Sequence, residues 1–201
     1  MSAILCVGGS PRMGGNSDIL IRHFLKGAQE MDVATEEVQL RNYQFQSCKG
    51  CEKCRKDKRC TGLLDDMQFI YPKFSEAQGL ILVSPVYNYN ITAMMKSFID
   101  RLYCYYNFDD ERPGKWSSQL QNQNRKAVIV AVAEQIGKEE SGIELALKAM
   151  RLPLEALGYE IIGELPVIGV FQKGKVLKYP EILSNAESLG KELGKSLKNL
   201  K

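Results

Sequence analysis

The stretch Ala3-Ile4-Leu5-Cys6-Val7-Gly8-Gly9-Ser10-Pro11-Arg12-Met13-Gly14-Gly15-Asn16-Ser17 decides the fold of this chain. Its first residues form a continuous apolar run ending in Gly8-Gly9, which suits a strand buried on both faces of a parallel sheet. Beyond the glycines, Ile19, Leu20, Phe24, Leu25 and Ala28 recur at helical spacing, with Asn16 or Ser17 as the expected N-cap. A buried strand that hands over to a helix through glycines is the opening of a βαβ unit.

The pattern repeats outward from this unit. Strands are expected at 35–40, 79–83, 126–133 and 160–165, and helices at 65–77, 92–105, 139–157 and 180–200, with Gly158 stopping the third of these. Five strands alternating with helices predict an α/β, flavodoxin-like three-layer sandwich. Its five-stranded parallel sheet has the order 2-1-3-4-5 and right-handed crossovers. The 201 residues fit one domain, 1–201, with a cysteine-rich insertion at 47–61. In this topology a ligand lies outside the carboxyl ends of strands one and three, where the winding reverses.

Both strand ends carry unusual loops. After strand one, the glycines admit an anion close to the backbone, and the Ser10, Asn16 and Ser17 side chains can donate to it. The next helix adds its free N–H groups and positive dipole end, and Arg12 a cation. A P-loop requires Lys where Asn16 follows Gly15. The dinucleotide fingerprint requires glycine where Ser10 and Met13 stand, counting from Gly8. A glycine-rich turn without a ligand is the plainer reading, but it does not call for so many donors converging on one point. After strand three, Ser84-Pro85-Val86-Tyr87-Asn88 leaves the sheet through a rigid proline and offers the flat face of Tyr87 to a planar ring. The plainer reading there is an ordinary strand-to-helix turn.

Six cysteines are present, and four of them, Cys48, Cys51, Cys54 and Cys60, crowd into one short segment, whereas Cys6 and Cys104 stand alone. In a reducing compartment such crowding points to metal or redox chemistry rather than to a disulfide framework. The spacing Cys-x2-Cys-x2-Cys-x5-Cys can wrap a cubane, and is related to the ferredoxin run, which ends instead in x3-Cys-Pro. Zinc more often uses separated knuckles or Cys/His mixtures. A cluster, zinc and metal-free thiols therefore stand as three readings, the cluster leading. Lys49, Lys53, Arg55, Lys56, Lys58 and Arg59 outweigh Glu52 and Asp57, which suits a negative thiolate cluster and an acidic electron carrier.

These loops resemble the NAD(P)H-dependent FMN reductase family over roughly residues 3–165. The resemblance is carried by Gly-Ser-Pro-Arg-x-x-Gly-Asn-Ser ending at Ser17, by Ser-Pro-Val-Tyr ending at Tyr87, and by Lys-x-Phe-Ile-Asp-Arg ending at Arg101. The compact cysteine run is similar to that of the iron–sulfur flavoprotein branch. The resemblance implies FMN phosphate on Ser10, Arg12, Asn16 and Ser17. It implies the isoalloxazine against Pro85, Val86, Tyr87 and Asn88, and a 4Fe-4S cluster on Cys48, Cys51, Cys54 and Cys60. The loop after strand four, Ala133-Glu134-Gln135-Ile136-Gly137, lines the flavin in such proteins, but here it has one glycine.

The expected function is an oxidoreductase passing electrons between a 4Fe-4S cluster and FMN, with NAD(P)H or ferredoxin as donor and no side-chain catalyst. The alternatives are an NAD(P)H-dependent FMN or quinone reductase without a cluster, and a non-enzymatic flavodoxin-like carrier. A homodimer or homotetramer is expected. The net charge of +3 and one short basic patch without aromatic interleaving do not call for nucleic acid. No apolar run reaches the roughly 18–20 residues of a membrane span. Met1-Ser2-Ala3-Ile4-Leu5 lacks the marks of a signal peptide, so a cytoplasmic location is expected. The single histidine, His23, reads as a packing or surface residue, and Cys6 as a small buried hydrophobe. Tyr103, Tyr105, Tyr106 and Phe108 read as packing, or as a cover across a subunit interface. The lysines of the last helix read as a solvated face.

Overall fold

Apolar runs rich in β-branched residues become the strands of a computed structural model that describes residues 3–111, 114–137 and 141–198. In chain order the first half comprises β1 (Ala3–Gly8), α1 (Asn16–Gln29), β2 (Ala34–Gln39), α2 (Lys53–Asp57), α3 (Met67–Glu76), β3 (Gly79–Tyr87), β4 (Asn90–Ile91) and α4 (Ala93–Arg101). The second half comprises β5 (Tyr106–Phe108), β6 (Trp116–Ser118), β7 (Lys126–Val132), α5 (Ile143–Leu157), β8 (Glu160–Val167) and α6 (Pro180–Lys198). The expected start of the third long helix at Glu139 and the end of the last at Leu200 lie outside the described residues.

The parallel strands stand in the order β2-β1-β3-β7-β8, which is the expected winding. Register is set by burial on both faces: Val7 lies between Val38 and Leu82, and Leu82 faces Ile129. Alternate residues serve opposite layers. Leu5, Val7, Leu80, Leu82 and Ile129 pack on one face with Phe74 of α3, Phe98 of α4 and Met150 of α5. Ile4, Cys6, Ile81, Val83 and Val128 pack on the other with Leu20 and Phe24 of α1 and Leu193 and Leu197 of α6. Helices on both faces force both sides of the central strands β1, β3 and β7 to be apolar, which is why these three read as continuous runs, whereas the edge strand β2 is mostly polar. Cys6 is fully buried there, as a small hydrophobe.

Several expectations are corrected. β3 does not stop at Val83 but runs on to Tyr87 and turns back as the antiparallel β4, which adds a sixth strand to the sheet. Asn88 and Tyr89 take φ of 49° and 67° in this two-residue turn, the left-handed pair that a tight hairpin requires. The helix expected at 92–105 ends at Arg101 and continues as a 3-10 turn over Leu102–Tyr105. A separate hairpin, β5–β6, follows, too short to show periodicity in sequence. Its aromatics pack on one another: the Tyr103 and Phe108 rings stack 4.9 Å apart and Trp116 meets Tyr106 edge-on.

Candidate functional site

The two expected loops meet over the carboxyl ends of β1 and β3 because a short relay of hydrogen bonds joins them. Gly9 N–H donates to Val83 O (2.8 Å), and the Thr92 hydroxyl donates to Gly9 O (2.7 Å) while capping α4 at Met95 N–H. Thr92 N–H donates to the Ser84 hydroxyl, which in turn donates to Pro85 O. A Cβ on Gly9 would stand 2.9 Å from the Met95 Cβ, so this approach needs glycine. Above the relay opens a cleft of ≈ 470 Å³. Ser10, Arg12, Asn16, Ser17, Pro85, Val86, Tyr87 and Asn88, every residue singled out in the two loops, line it.

The local details differ from expectation. The N-cap of α1 is Gly15, not Asn16 or Ser17, and no side chain caps it. Asn16 also ties the cleft to the loop after β8: its amide donates to Gln172 O (3.0 Å) and its carbonyl accepts from Val176 N–H (3.2 Å). The first N–H groups of α1, at Asn16, Ser17 and Asp18, have no intrahelical acceptor. Ser10 and Ser17 are almost completely buried, whereas Arg12 is exposed at the cleft. It donates to Phe171 O (3.2 Å) and lies over the Phe171 ring.

Sequence reasoning missed two parts of this cleft. The loop after β8 supplies a third wall, Val170, Phe171 and Lys173, which lies beyond the stretch that carried the resemblance. Val132 and Glu134 complete the lining, so one residue of the loop after β7 does face the cleft. Arg41, in the 3-10 turn after β2, holds the first loop from beneath. It pairs with buried Asp18 (3.0 and 2.8 Å) and donates to Ser10 O (3.2 Å), while Asp18 accepts from Gly14 N–H (2.7 Å). No local pattern marks either contribution, since both are joined to the loop only by the fold. His23 plays no part here and contacts Glu187 at 2.7 Å.

The cysteine segment forms a second site. Left-handed backbone at Gly50, Glu52 and Lys58 bends it around α2, and Cys48, Cys51, Cys54 and Cys60 line one small pocket. Gly62 is a cradle for one sulfur, because a Cβ there would stand 2.4 Å from Cys51 Sγ. Cys104, expected to stand alone, is a fifth cysteine on the pocket wall. Burial pushes its thiol up to about 12, with the Cys60 and Cys54 sulfurs adding to the shift. Burial also raises the Cys54 thiol, helped by the other three cysteines of the segment. Cys60 goes the other way: burial raises it, but the Tyr71 hydroxyl, Arg101 and the N–H groups of Gly62 and Leu63 outweigh that and hold it below the usual thiol value. Among the described residues no group of three or more His, Cys, Asp or Glu side chains is placed to hold a metal ion. The four sulfurs share the lining of one pocket.

Comparison with known proteins agrees with the fold and extends the reading. Residues 2–164 match the family model of NADPH-dependent FMN reductase. An iron–sulfur flavoprotein of Methanocaldococcus jannaschii is 33% identical over 136 residues, covering 68% of this chain and 65% of the relative. One of Methanosarcina thermophila is 38% identical over 95 residues, covering 47% and 49%. These matches therefore span from about half to just under two thirds of the length of these relatives. Among solved structures, the NAD(P)H:quinone oxidoreductase from Methanothermobacter marburgensis superposes with a TM-score of 0.73 at 17% identity, over 96% of this chain and 98% of the other. No helix among the described residues is long and apolar enough to cross a membrane.

Proposed function

The chain belongs to the NADPH-dependent FMN reductase family, and from that premise we propose that it is a flavin-dependent oxidoreductase of the iron–sulfur flavoprotein type. The observation that carries the proposal is the pairing of two built sites in one chain: a cleft lined by both flavin loops, and four cysteines around one pocket. Ser10, Ser17, Arg12 and the leading N–H groups of α1 would hold the FMN phosphate, with Lys173 as a further cation. Asn16 serves by fixing the loop that carries Phe171 and Lys173. Pro85, Val86, Tyr87 and Asn88 would flank the ring system, and Val132, Glu134 and Val170 close the cleft around it. Bound FMN supplies the exchange between two-electron hydride chemistry and single electrons.

Cys48, Cys51, Cys54 and Cys60 would hold a 4Fe-4S cluster, which supplies one-electron transfer. The protein's part is to orient both groups, exclude competing reactions and tune their potentials. The chain is read as one FMN-binding domain with segment 47–61 as an insertion, working in a reducing cytoplasm with NAD(P)H or ferredoxin as electron donor. Exposed Leu64, just before α3, and Phe69, in its first turn, offer apolar surface to a second subunit of a dimer or tetramer.

Anaerobically purified protein should contain FMN and about four iron and four sulfide per chain, the content of one such cluster, with an EPR signal on reduction. Flavin absorbance accompanied only by stoichiometric zinc, or by no metal, would replace this reading with a cluster-free FMN or quinone reductase. Stopped-flow reduction by NADPH against reduced ferredoxin identifies the donor.

A further inference from the structure

Arg101 heads the large side chains that the structure buries completely. A guanidinium has five N–H bonds, and each of these five finds an acceptor. Nε donates to the Tyr71 hydroxyl (3.1 Å), and Nη1 to Gln46 O (2.9 Å) and Asp65 Oδ2 (2.6 Å). Nη2 donates to Asp65 Oδ1 (3.0 Å) and, with its remaining hydrogen, to Cys60 Sγ (3.5 Å). Gln46 precedes the cysteine segment and Cys60 ends it, so one side chain from α4 clasps both ends of that segment.

The electrostatics follow from this geometry. A buried cation survives only when paired, and the bidentate Asp65 carboxylate provides the pair. Of the three hydrogens not used in that pairing, two reach oxygen, on Tyr71 and Gln46, and the third reaches the Cys60 sulfur. Among the described residues no other cation is hydrogen-bonded to a cysteine of the segment, although six surround it in sequence. Cys60 is therefore the corner of the site at which added negative charge is best stabilised.

We propose that Arg101 is the positioning residue of the cysteine centre, fixing the Cys60 sulfur and raising the reduction potential of what the four thiolates hold. The inference rests on the cluster reading above. Hydrogen bonds to ligand sulfur and nearby cations favour the form carrying one more electron. Asp65 tempers that effect by offsetting the guanidinium charge. The two residues thus act on the potential in opposite senses while contributing to the same hydrogen-bonded unit.

The test is an EPR-monitored redox titration of the anaerobic holoprotein as wild type, Arg101→Gln, Arg101→Lys and Asp65→Asn, with iron and sulfide assayed in each. The cluster potential should shift downward in Arg101→Gln, downward by less in Arg101→Lys, and upward in Asp65→Asn. The flavin potential, read in the same samples, should change less than the cluster's. Shifts of the same sign in Arg101→Gln and Asp65→Asn, or none in variants with full iron, would overturn the assignment while leaving the cluster reading intact. Loss of iron from Arg101→Lys as well as Arg101→Gln would reduce Arg101 to a structural clasp and overturn it too. A wild type without iron and sulfide would overturn the cluster reading itself, and this inference with it.

Discussion

Thr92 shows how much of the flavin cleft depends on single hydroxyls. Its side chain caps α4 and ties that helix to Gly9 in the first loop, so Thr92→Ala removes a cap and a loop-to-loop bond together. Stability should fall by about 1 kcal/mol, and FMN affinity by roughly tenfold if about 1.4 kcal/mol of preorganisation is lost; Thr92→Ser should retain most of both. Arg12 tests the phosphate end. Removing its cation should weaken FMN by about 1.5–3 kcal/mol, the range for a charge-assisted bond, while leaving riboflavin affinity nearly unchanged. Fluorescence titration of both flavins measures the difference, and equal losses for the two would place Arg12 outside the phosphate site. Ser10, Ser17 and Pro85 were legible in the chain because glycines, hydroxyls and a proline cluster at strand ends. Arg41 and Phe171 were not, since nothing near them in sequence marks a ligand site.

Among the elements, the crossing of α1 and α6 is set by glycines on both partners. A Cβ on Gly27 would lie 1.9 Å from Glu187 O, and one on Gly190 would lie 2.1 Å from Phe24 O. Gly190→Ala should therefore destabilise by about 1–3 kcal/mol through overpacking, despite its better helix propensity. Urea denaturation measures this, and a stabilised variant would show that the helices separate at little cost. The carboxyl end of α3 depends on one buried side chain from the turn before β7. Arg125 donates to the carbonyls of Phe74 (3.1 Å), Ser75 (2.5 Å) and Ala77 (2.6 Å). Replacing it by Met leaves these acceptors unpaired, and stability should drop by about 2–4 kcal/mol, from roughly 1–3 kcal/mol for each buried group left unsatisfied after partial relaxation. The elements themselves were readable from apolar periodicity. The β3–β4 turn and the β5–β6 hairpin were not, because two- and three-residue strands carry no period.

For the molecule as a whole, the cleft and the cysteine pocket draw on different lining residues. If the four cysteines hold the proposed cluster, replacing Cys48, Cys51, Cys54 and Cys60 together by Ser should abolish iron binding but keep FMN stoichiometry and the far-UV spectrum. Loss of FMN in that variant would show that the sites stand or fall together. The clasp also gives the fold an acid-sensitive component. Burial raises the Asp65 carboxyl, but Arg101 and the N–H groups of Gln46 and Met67 outweigh it and hold the group below its ordinary value. A folded pKa below the unfolded one means that this stabilisation is complete above about pH 4 and is lost as pH falls through the depressed value. The stability gap between wild type and Asp65→Asn, measured by urea titration, should be widest near neutrality and shrink below about pH 4.

The chain by itself determined the winding of the sheet, the two flavin loops and the grouping of four cysteines, because each is written in residues close together in sequence. Periodicity, glycine placement and cysteine spacing are local signals, and local signals survive reading in one dimension. Only the tertiary structure decided that the loop after β8 completes the cleft and that Arg41 braces it. It likewise brought Arg101, Asp65 and Cys60 into one hydrogen-bonded unit across the end of the cysteine segment. Those contacts join residues far apart in the chain, so their energies exist only after the sheet and its helices have packed. The segment Ala3–Gly8 and the loop that follows could therefore point to the cleft over the sheet. What else lines that cleft, and which cation faces the sulfur, depended on the closed fold.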